Sequence, residues 1–226
     1  MKPLFLTGYS DGFADIFWQD WLPGYTAFLA EHFELRIIRF TGETGNFGSE
    51  PYNDLCRTMI GTVAQALAEN DGRVIVQSDC DMRIYRSFSL ELERVTGADG
   101  FQMATAMDRL GGEPVHCGGF IVVKSTPETR EFYGKWAEAS KAEGIGSVQA
   151  PFNQLLRSAP FKAMQLPETY WTCGLGDLPR LWEPGDAIPF PPENIAFMHA
   201  NFTIGVRHKR ALLEAVRLKY QSIFHP

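Results

Sequence analysis

Three short apolar runs in the first third of the chain restrict its fold more than any other feature. They are PLFLTG (residues 3–8), ELRIIRF (34–40) and RVIVQS (73–78). Each has the length and the Val, Ile, Leu or Phe content of a buried strand. The stretches between them have helical character. Residues 15–33 (DIFWQDWLPGYTAFLAEHF) read as a helix interrupted near Pro23 and Gly24, because proline removes a donor and glycine frees the backbone. In residues 51–70, Leu55, Met59, Val63 and Ala66/Leu67 recur at helical spacing, and Asn70-Asp71-Gly72 ends that helix. Strand, helix, strand, helix, strand is the order of a parallel α/β sheet with helices on its faces. In such sheets ligands gather beyond the carboxyl ends of the strands. TGETGNFGSE (41–50) lacks the Gly-Lys-Ser/Thr ending of a phosphate loop and reads as a flexible connection.

The third run ends in acid. VIVQSDCDMRIYRSF (74–88) places Asp79 and Asp81 one residue apart, just past the strand. In an extended chain their side chains point to opposite faces, whereas a turn can aim both at one cation. Hard divalent ions such as Mg²⁺ and Mn²⁺ take oxygen ligands and keep positions open for phosphate oxygens. A D-x-D triplet also arises as a pair of solvated turn acids; its place at the end of the third α/β strand favours the metal. Haloacid dehalogenase phosphatases carry D-x-D after a strand too, but near the chain start and followed by Thr or Val. Here Arg83 stands there, after two α/β units.

Composition removes several function classes. Net charge is −6 and no Lys/Arg-rich block is present, which excludes a nucleic-acid partner. No apolar run approaches the roughly 20 residues of a transmembrane segment, and MKPLFLTGYSDGF has none long enough for a signal peptide. Cys56, Cys80, Cys117 and Cys173 are scattered without a C-x-x-C pair, so the pattern predicts neither disulfides nor a zinc-thiolate site, and a cytoplasmic location.

Beyond residue 100 the pattern changes. GFQMAT (100–105) and HCGGFIVVKS (116–125) read as strands joined by a loop, MDRLGGEP (107–114). Thr126-Pro127-Glu128 is a helix start, and Phe132, Tyr133, Trp136 and Ala137 give that helix an apolar face. A further helix is expected over 149–157 and a terminal one over 206–220, with IAFMHA (195–200) as a last short strand. Residues 160–195 are rich in proline and read as irregular. No repeat or low-complexity linker divides the chain, so a single domain is expected.

With these segments placed, the chain resembles a family. The D-x-D stretch is similar to that of GT-A fold glycosyltransferases, in particular the nucleotide-diphospho-sugar transferases of plants and bacteria. HCGGFIVVKSTPETREFYGKW is similar to the family's small-x-G-F strand and following helix. VQAPFNQLL resembles its D-Q-x-x-x-N-x-x-L helix start, and FMHANFTIGVRHKRALLEAV its C-terminal His-x-Asn segment with a later glycine and lysine. The resemblance implies a GT-A fold: α/β, a Rossmann-like mixed sheet flanked by helices, in one domain. Residues 1–110 would form the nucleotide-binding half, and 111–226 the acceptor-binding half with the C-terminal metal and diphosphate segment.

Carried over residue by residue, it implies a metal-dependent glycosyltransferase. Asp79, Asp81 and His199 would hold Mn²⁺ (or Mg²⁺), with Asp79 reaching the ribose or the metal's water shell. Lys209, after the glycine matched by Gly205, would pair with the diphosphate. Gln149 would lie beneath the anomeric carbon, Gly119 would contact sugar, and Asn153 would be structural or sugar-binding. Tyr9, Ser10 and Asp11 would hold uracil and ribose of a UDP-sugar, and the sugar would be transferred with retention. Asp108 is a further candidate contact to donor or acceptor. Trp171 is a candidate for stacking on the acceptor: a glycan, lipid-linked sugar or protein. Trp18 and Trp21 read as packing residues. Plainer readings stand beside these: His199 as a core histidine, Lys209 as a solvated helix lysine, Gln149 as a capping residue.

Three positions depart from the pattern. Val148 and Ala150 flank Gln149 where relatives often carry acids, and Cys117 stands where asparagine is usual; the resemblance implies that all three positions face the donor sugar's hydroxyls, with Cys117 among the substrate-binding residues. Hydrogen-bonding sites discriminate strongly between hydroxyl patterns, so these changes predict an altered donor. They equally motivate a different class, a catalytically inactive nucleotide-sugar-binding or interaction module of the same fold. A metal-dependent nucleotidyltransferase is a third class, and it would need a glycine-rich basic loop near the N-terminus that the sequence lacks.

Overall fold

A computed structural model describes residues 1–41, 49–110, 113–142, 145–176, 178, 180–188 and 191–224. The expected strands form: β1 (Leu4–Ser10), β2 (Glu34–Phe40) and β3 (Val74–Ser78). β1 lies between β2 and β3 and is parallel to both. The sheet then continues as β6 (Glu113–Lys124), β5 (Met103–Leu110) and β7 (Met164–Gln165), in the order β2-β1-β3-β6-β5-β7. β6 is antiparallel to both β3 and β5, and β7 is parallel to β5, so the sheet is mixed.

Strand alternation sorts the sheet's two faces. Leu4, Leu6, Ile75, Met103, Ile121 and Val123 face one way, against α3 (Glu50–Glu69), α5 (Pro127–Ala139) and α6 (Gln149–Leu156). The neighbouring positions Phe5, Val76, Ala104, Phe120 and Val122 face the other way, into an aromatic layer with Trp21, Tyr25, Phe33, Phe88, Tyr170 and Phe197. At the start of α5, Thr126 accepts from the Thr129 backbone while the Thr129 hydroxyl answers the Thr126 N–H, a reciprocal cap with Pro127 in the first turn.

A second, three-stranded sheet runs β4 (Met82–Ile84), β9 (Phe197–His199), β8 (Tyr170–Thr172). Against it packs α7 (Val206–Phe224), through Leu212, Leu213 and Val216, which meet Trp171, Trp182, Ile195 and Met198.

Several local expectations are corrected. Residues 107–110 and 113–114, expected in a loop, are strand: β5 runs to Leu110 and β6 starts at Glu113, with Asp108 opposite Val115 and Met107 opposite His116, while 111 and 112 lie outside the described residues. Cross-strand pairing carries these polar residues in strand form, with a register shift between Thr105 and Met107. The helix over 15–33 is built of α1 (Ala14–Ile16), a π turn Phe17–Trp21 and α2 (Leu22–Phe28). Its irregularity therefore precedes Pro23, whose ring and missing N–H disturb the carbonyl four residues back, inside the π turn. The short β4 and α4 (Ser89–Thr96) had no readable period, and α7 continues past residue 220. The segment 160–195 is largely irregular but contributes β7, β8 and a 3₁₀ turn at Cys173–Gly176. Most of the 41–50 connection lies outside the described residues. Among those described, no helix is long and apolar enough to cross a membrane.

Candidate metal and diphosphate site

β3 stops at Ser78, and the turn that follows is held from several sides. The Trp21 indole donates to Ser78 Oγ at 3.3 Å, and that hydroxyl donates to the Asp79 carbonyl at 2.8 Å. The Asp79 N–H donates to the Gly119 carbonyl of β6 at 2.8 Å. Past Asp81 the chain enters β4, whose first residue, Met82, pairs with His199 of β9. The Ala200 N–H donates to the Asp81 carbonyl at 2.9 Å, extending that ladder by one step. The small sheet thus lays His199 beside the two acids.

Asp79, Asp81 and His199 each offer a ligand atom, and the three atoms lie within 4.8 Å of one another. His199 Nε2 is 3.2 Å from Asp81 Oδ1 and 3.6 Å from Asp79 Oδ2. The ring is 4% accessible and the Asp79 side chain 43%, so the cluster opens to solvent on the Asp79 side. Gly119 makes the room. A Cβ there would lie 2.4 Å from His199 Cε1 and 2.7 Å from Asp79 Oδ2.

Lys209 completes the cluster. Gly205 turns the chain with φ +83°, a conformation that glycine adopts without strain, and its carbonyl receives the Lys209 N–H at 3.1 Å. In the first turns of α7, the Lys209 ammonium donates to Asp81 Oδ2 at 2.5 Å and to the Ala200 carbonyl at 2.8 Å.

The charges perturb one another. Burial and the adjacent Asp81 push the Asp79 carboxyl up to about 7, although water reaching that side chain softens the effect of burial. Burial pushes Asp81 upward too, but Lys209 and His199 overcome it and hold that carboxyl well below the usual range. For His199 burial works downward and Asp81 overrides it, leaving the imidazole raised. The first turns of α3 also bring Tyr52 and Cys56 within electrostatic reach of Asp79 and Asp81, a proximity with no signal in the sequence.

Two carboxylates and one imidazole form an oxygen-rich, borderline donor set suited to Mn²⁺ or Mg²⁺. Their convergence, and the space that Gly119 leaves beside them, fit such an ion.

Residues 29–213 match the model of the nucleotide-diphospho-sugar transferase family. The chain belongs to that family. It is therefore a glycosyltransferase. No curated protein sequence matches it. Solved structures share its fold at low identity. One is a glycosyltransferase involved in the glycosylation of the major capsid of PBCV-1, with a TM-score of 0.63 and 11% identity, covering 96% of this chain and 100% of that one. A second is mouse xyloside xylosyltransferase 1, apo form, with a TM-score of 0.55 and 12% identity, covering 89% and 98%. A third is GlyE of Streptococcus pneumoniae TIGR4, at 0.55 and 12%, where this chain's 97% spans 60% of the neighbour. These likenesses establish the GT-A fold.

The remaining transferase candidates spread from the rim into the core. Gln149, at the start of α6, accepts the Gly118 N–H through Oε1 at 3.2 Å, beside the cluster. Asn153 bonds the His116 N–H and carbonyl, both at 2.9 Å, and pins α6 to β6. Tyr9 and Ser10 end β1, with Tyr9 stacked on Phe17 at 4.4 Å, and Asp11 is ion-paired to Arg39 at 2.8 Å. Asp108 and Cys117 are each 1% exposed, behind His199 rather than on an open surface. Asn201 donates to Asp108 at 2.7 Å. Trp171 is 7% exposed and packs with α7, whereas Trp18, expected in the core, is 53% exposed. Their aromatic character was legible, but their depth depended on which surface each element presents. Val148 is buried under Trp136, whose indole donates to its carbonyl at 2.9 Å.

Proposed function

We propose that this glycosyltransferase takes its sugar from a nucleoside diphosphate donor, a UDP-sugar, through a divalent cation held by Asp79, Asp81 and His199. The observation that carries this reading is the meeting of those residues with Lys209 at the carboxyl end of β3. The bound ion would supply Lewis-acid stabilisation of the departing diphosphate. Lys209, which donates to Asp81, would neutralise phosphate oxygens of the donor. Gln149 would turn its amide toward the sugar from the β6 rim. Tyr9, Ser10 and Asp11 would line the base and ribose end, in the nucleotide-binding half of residues 1–110. Retention of anomeric configuration and an acceptor bound by the second half, residues 111–226, complete the proposal. Mn²⁺ is the preferred ion because an imidazole joins the carboxylates. Four free thiols suit a reducing cytoplasm.

An inactive sugar-binding module is the second reading, motivated by Cys117, Val148 and Ala150. The retained cluster of Asp79, Asp81, His199 and Lys209 speaks against it, since an inactive copy need not keep a metal site. The test is calorimetric titration with a panel of nucleoside diphosphates and their sugars, with Mn²⁺, with EDTA, and on Asp81→Ala. Metal-dependent binding of one nucleotide, abolished in the variant, together with slow hydrolysis of one donor, is the expected result. Binding without hydrolysis or transfer would favour the module, and absence of binding under every condition would defeat the donor-site reading.

A further inference from the structure

The carboxyl edge of the large sheet carries a second group of side chains, away from the metal cluster. β1 and β3 run out together there, with Thr7 paired to Ser78, and β2 ends on the other side of β1, with Arg39 paired to Tyr9. Neighbouring strands lie about 5 Å apart, so the end of β2 is roughly 10 Å across the sheet from the end of β3. A ribose and two phosphates cover a distance of that order.

Two open groups flank Tyr9 at this corner. The Arg39 guanidinium donates to Asp11 Oδ1 through Nε at 3.0 Å and through Nη2 at 2.8 Å. The two side chains are 66% and 47% accessible, and a pair so exposed adds little to stability. Its effect is to fix the direction of a planar fork, of whose five N–H donors these bonds use two. The Trp18 indole, 53% exposed, meets the Tyr9 ring edge-on at 6.1 Å. Tyr9 itself is covered, stacked on Phe17 at 4.4 Å and 9% accessible. The π turn Phe17–Trp21 lays Phe17 on Tyr9 and leaves Trp18 outside; such turns recur at functional sites. Asp15 and Gln19, on either side of Trp18, accept from Arg210, the neighbour of Lys209, and tie this turn to the start of α7.

An open aromatic face near a fixed fork of donors suits a flat ring that carries a carbonyl oxygen at its edge. We propose that Trp18 and Arg39 recognise the nucleobase of the donor: the indole stacks on the base, and Arg39, held by Asp11, donates to its exocyclic oxygen. This rests on the reading of a nucleoside diphosphate donor and names the residues that choose among bases. It moves stacking from Tyr9, which Phe17 covers, to Trp18, and it has Asp11 act through Arg39. A side chain that only donates favours an oxo group over an amino group at the same place on the ring. Uracil is therefore selected over cytosine, which has an amino group where uracil has its 4-oxygen.

The test is calorimetry on the whole chain with Mn²⁺ present, comparing UDP with CDP on wild type and on variants of these exposed residues. Wild type should bind UDP about tenfold tighter than CDP, the discrimination expected of a good contact to a base edge. Arg39→Ala should erase that preference. Arg39→Lys keeps the charge and loses the fork, so it should erase the preference as well while still attracting the diphosphate. Trp18→Ala should weaken both nucleotides alike, by about tenfold, as loss of a base stack does. Mn²⁺ titrated alone should bind all four proteins equally; a loss there would place these residues in the metal site and overturn the assignment. No preference for UDP over CDP in wild type, or a preference that survives Arg39→Ala, would refute the role of Arg39 while leaving the donor site standing. Unchanged UDP affinity in Trp18→Ala would refute the stack. If wild type binds no nucleoside diphosphate, the donor reading fails and the proposal falls with it.

Discussion

Replacing Gly119 by alanine places a methyl group where the structure has the site's space. The new Cβ would lie 2.4 Å from His199 Cε1, 2.7 Å from Asp79 Oδ2 and 3.1 Å from His199 Nδ1. Ordinary carbon contacts need about 3.5 Å or more, so the ring must retreat by roughly 1 Å. His199 cannot do so freely, because it is paired to Met82 in the β4–β9 ladder and enclosed on the Nδ1 side by Cys117. Metal–ligand distances tolerate only about 0.2 Å. A shift of that size therefore removes a ligand, and Mn²⁺ affinity should fall by about 100-fold or more, the upper end of what outer-shell losses cause. The overpacking should also cost about 1–3 kcal/mol of stability. The neighbouring glycine is the control. In Gly118→Ala the nearest atom to the new Cβ is Gln149 Oε1 at 3.8 Å, an ordinary contact, so metal binding should persist. Calorimetric Mn²⁺ titration and denaturant unfolding of both variants read the two effects separately. Equal Mn²⁺ affinity in Gly119→Ala and wild type would refute the placement of the ion against Asp79 and His199.

Two further outcomes follow from the charges. Asp79, pushed up to about 7, and His199, raised by Asp81, both hold protons that a cation must displace, whereas Asp81 stays ionised. Lowering the pH protonates the ligands and competes with the metal, so affinity should fall as pH drops below about 7, by roughly tenfold per unit for each proton released. Titration in buffers of different ionisation enthalpy counts those protons, and a flat affinity across neutrality would contradict the coupling. Separately, Arg83 of β4 pairs with Asp20 of the π turn, both largely buried, and reaches Glu214 of α7 at 3.6 Å. Asp20→Ala strands that guanidinium and should cost about 3 kcal/mol in denaturant unfolding, the low end for a broken buried pair because Glu214 remains; a loss within experimental error would show that the pair contributes little.

Much of this protein was decided locally. The order of β1, β2, β3 and the helices between them followed from apolar period, which depends on neighbours a few residues away. The helix start at Thr126 and the placing of Asp79 and Asp81 just past a buried strand were equally local readings, whereas the reciprocal bond from Thr129 came only with the structure. The family likeness added His199 and Lys209 as partners of those acids. Tertiary structure alone decided how they meet: the pairing of Met82 with His199, in strands of three residues each, too short to carry a readable period. It also decided depth, taking Trp171 and Cys117 inward and leaving Trp18 outside. Periodicity records which side of an element is apolar, but not what packs on it. The partners of Lys209 come from the turn after β3 and the residue just past β9, distant in sequence and joined only when the two sheets close on one another.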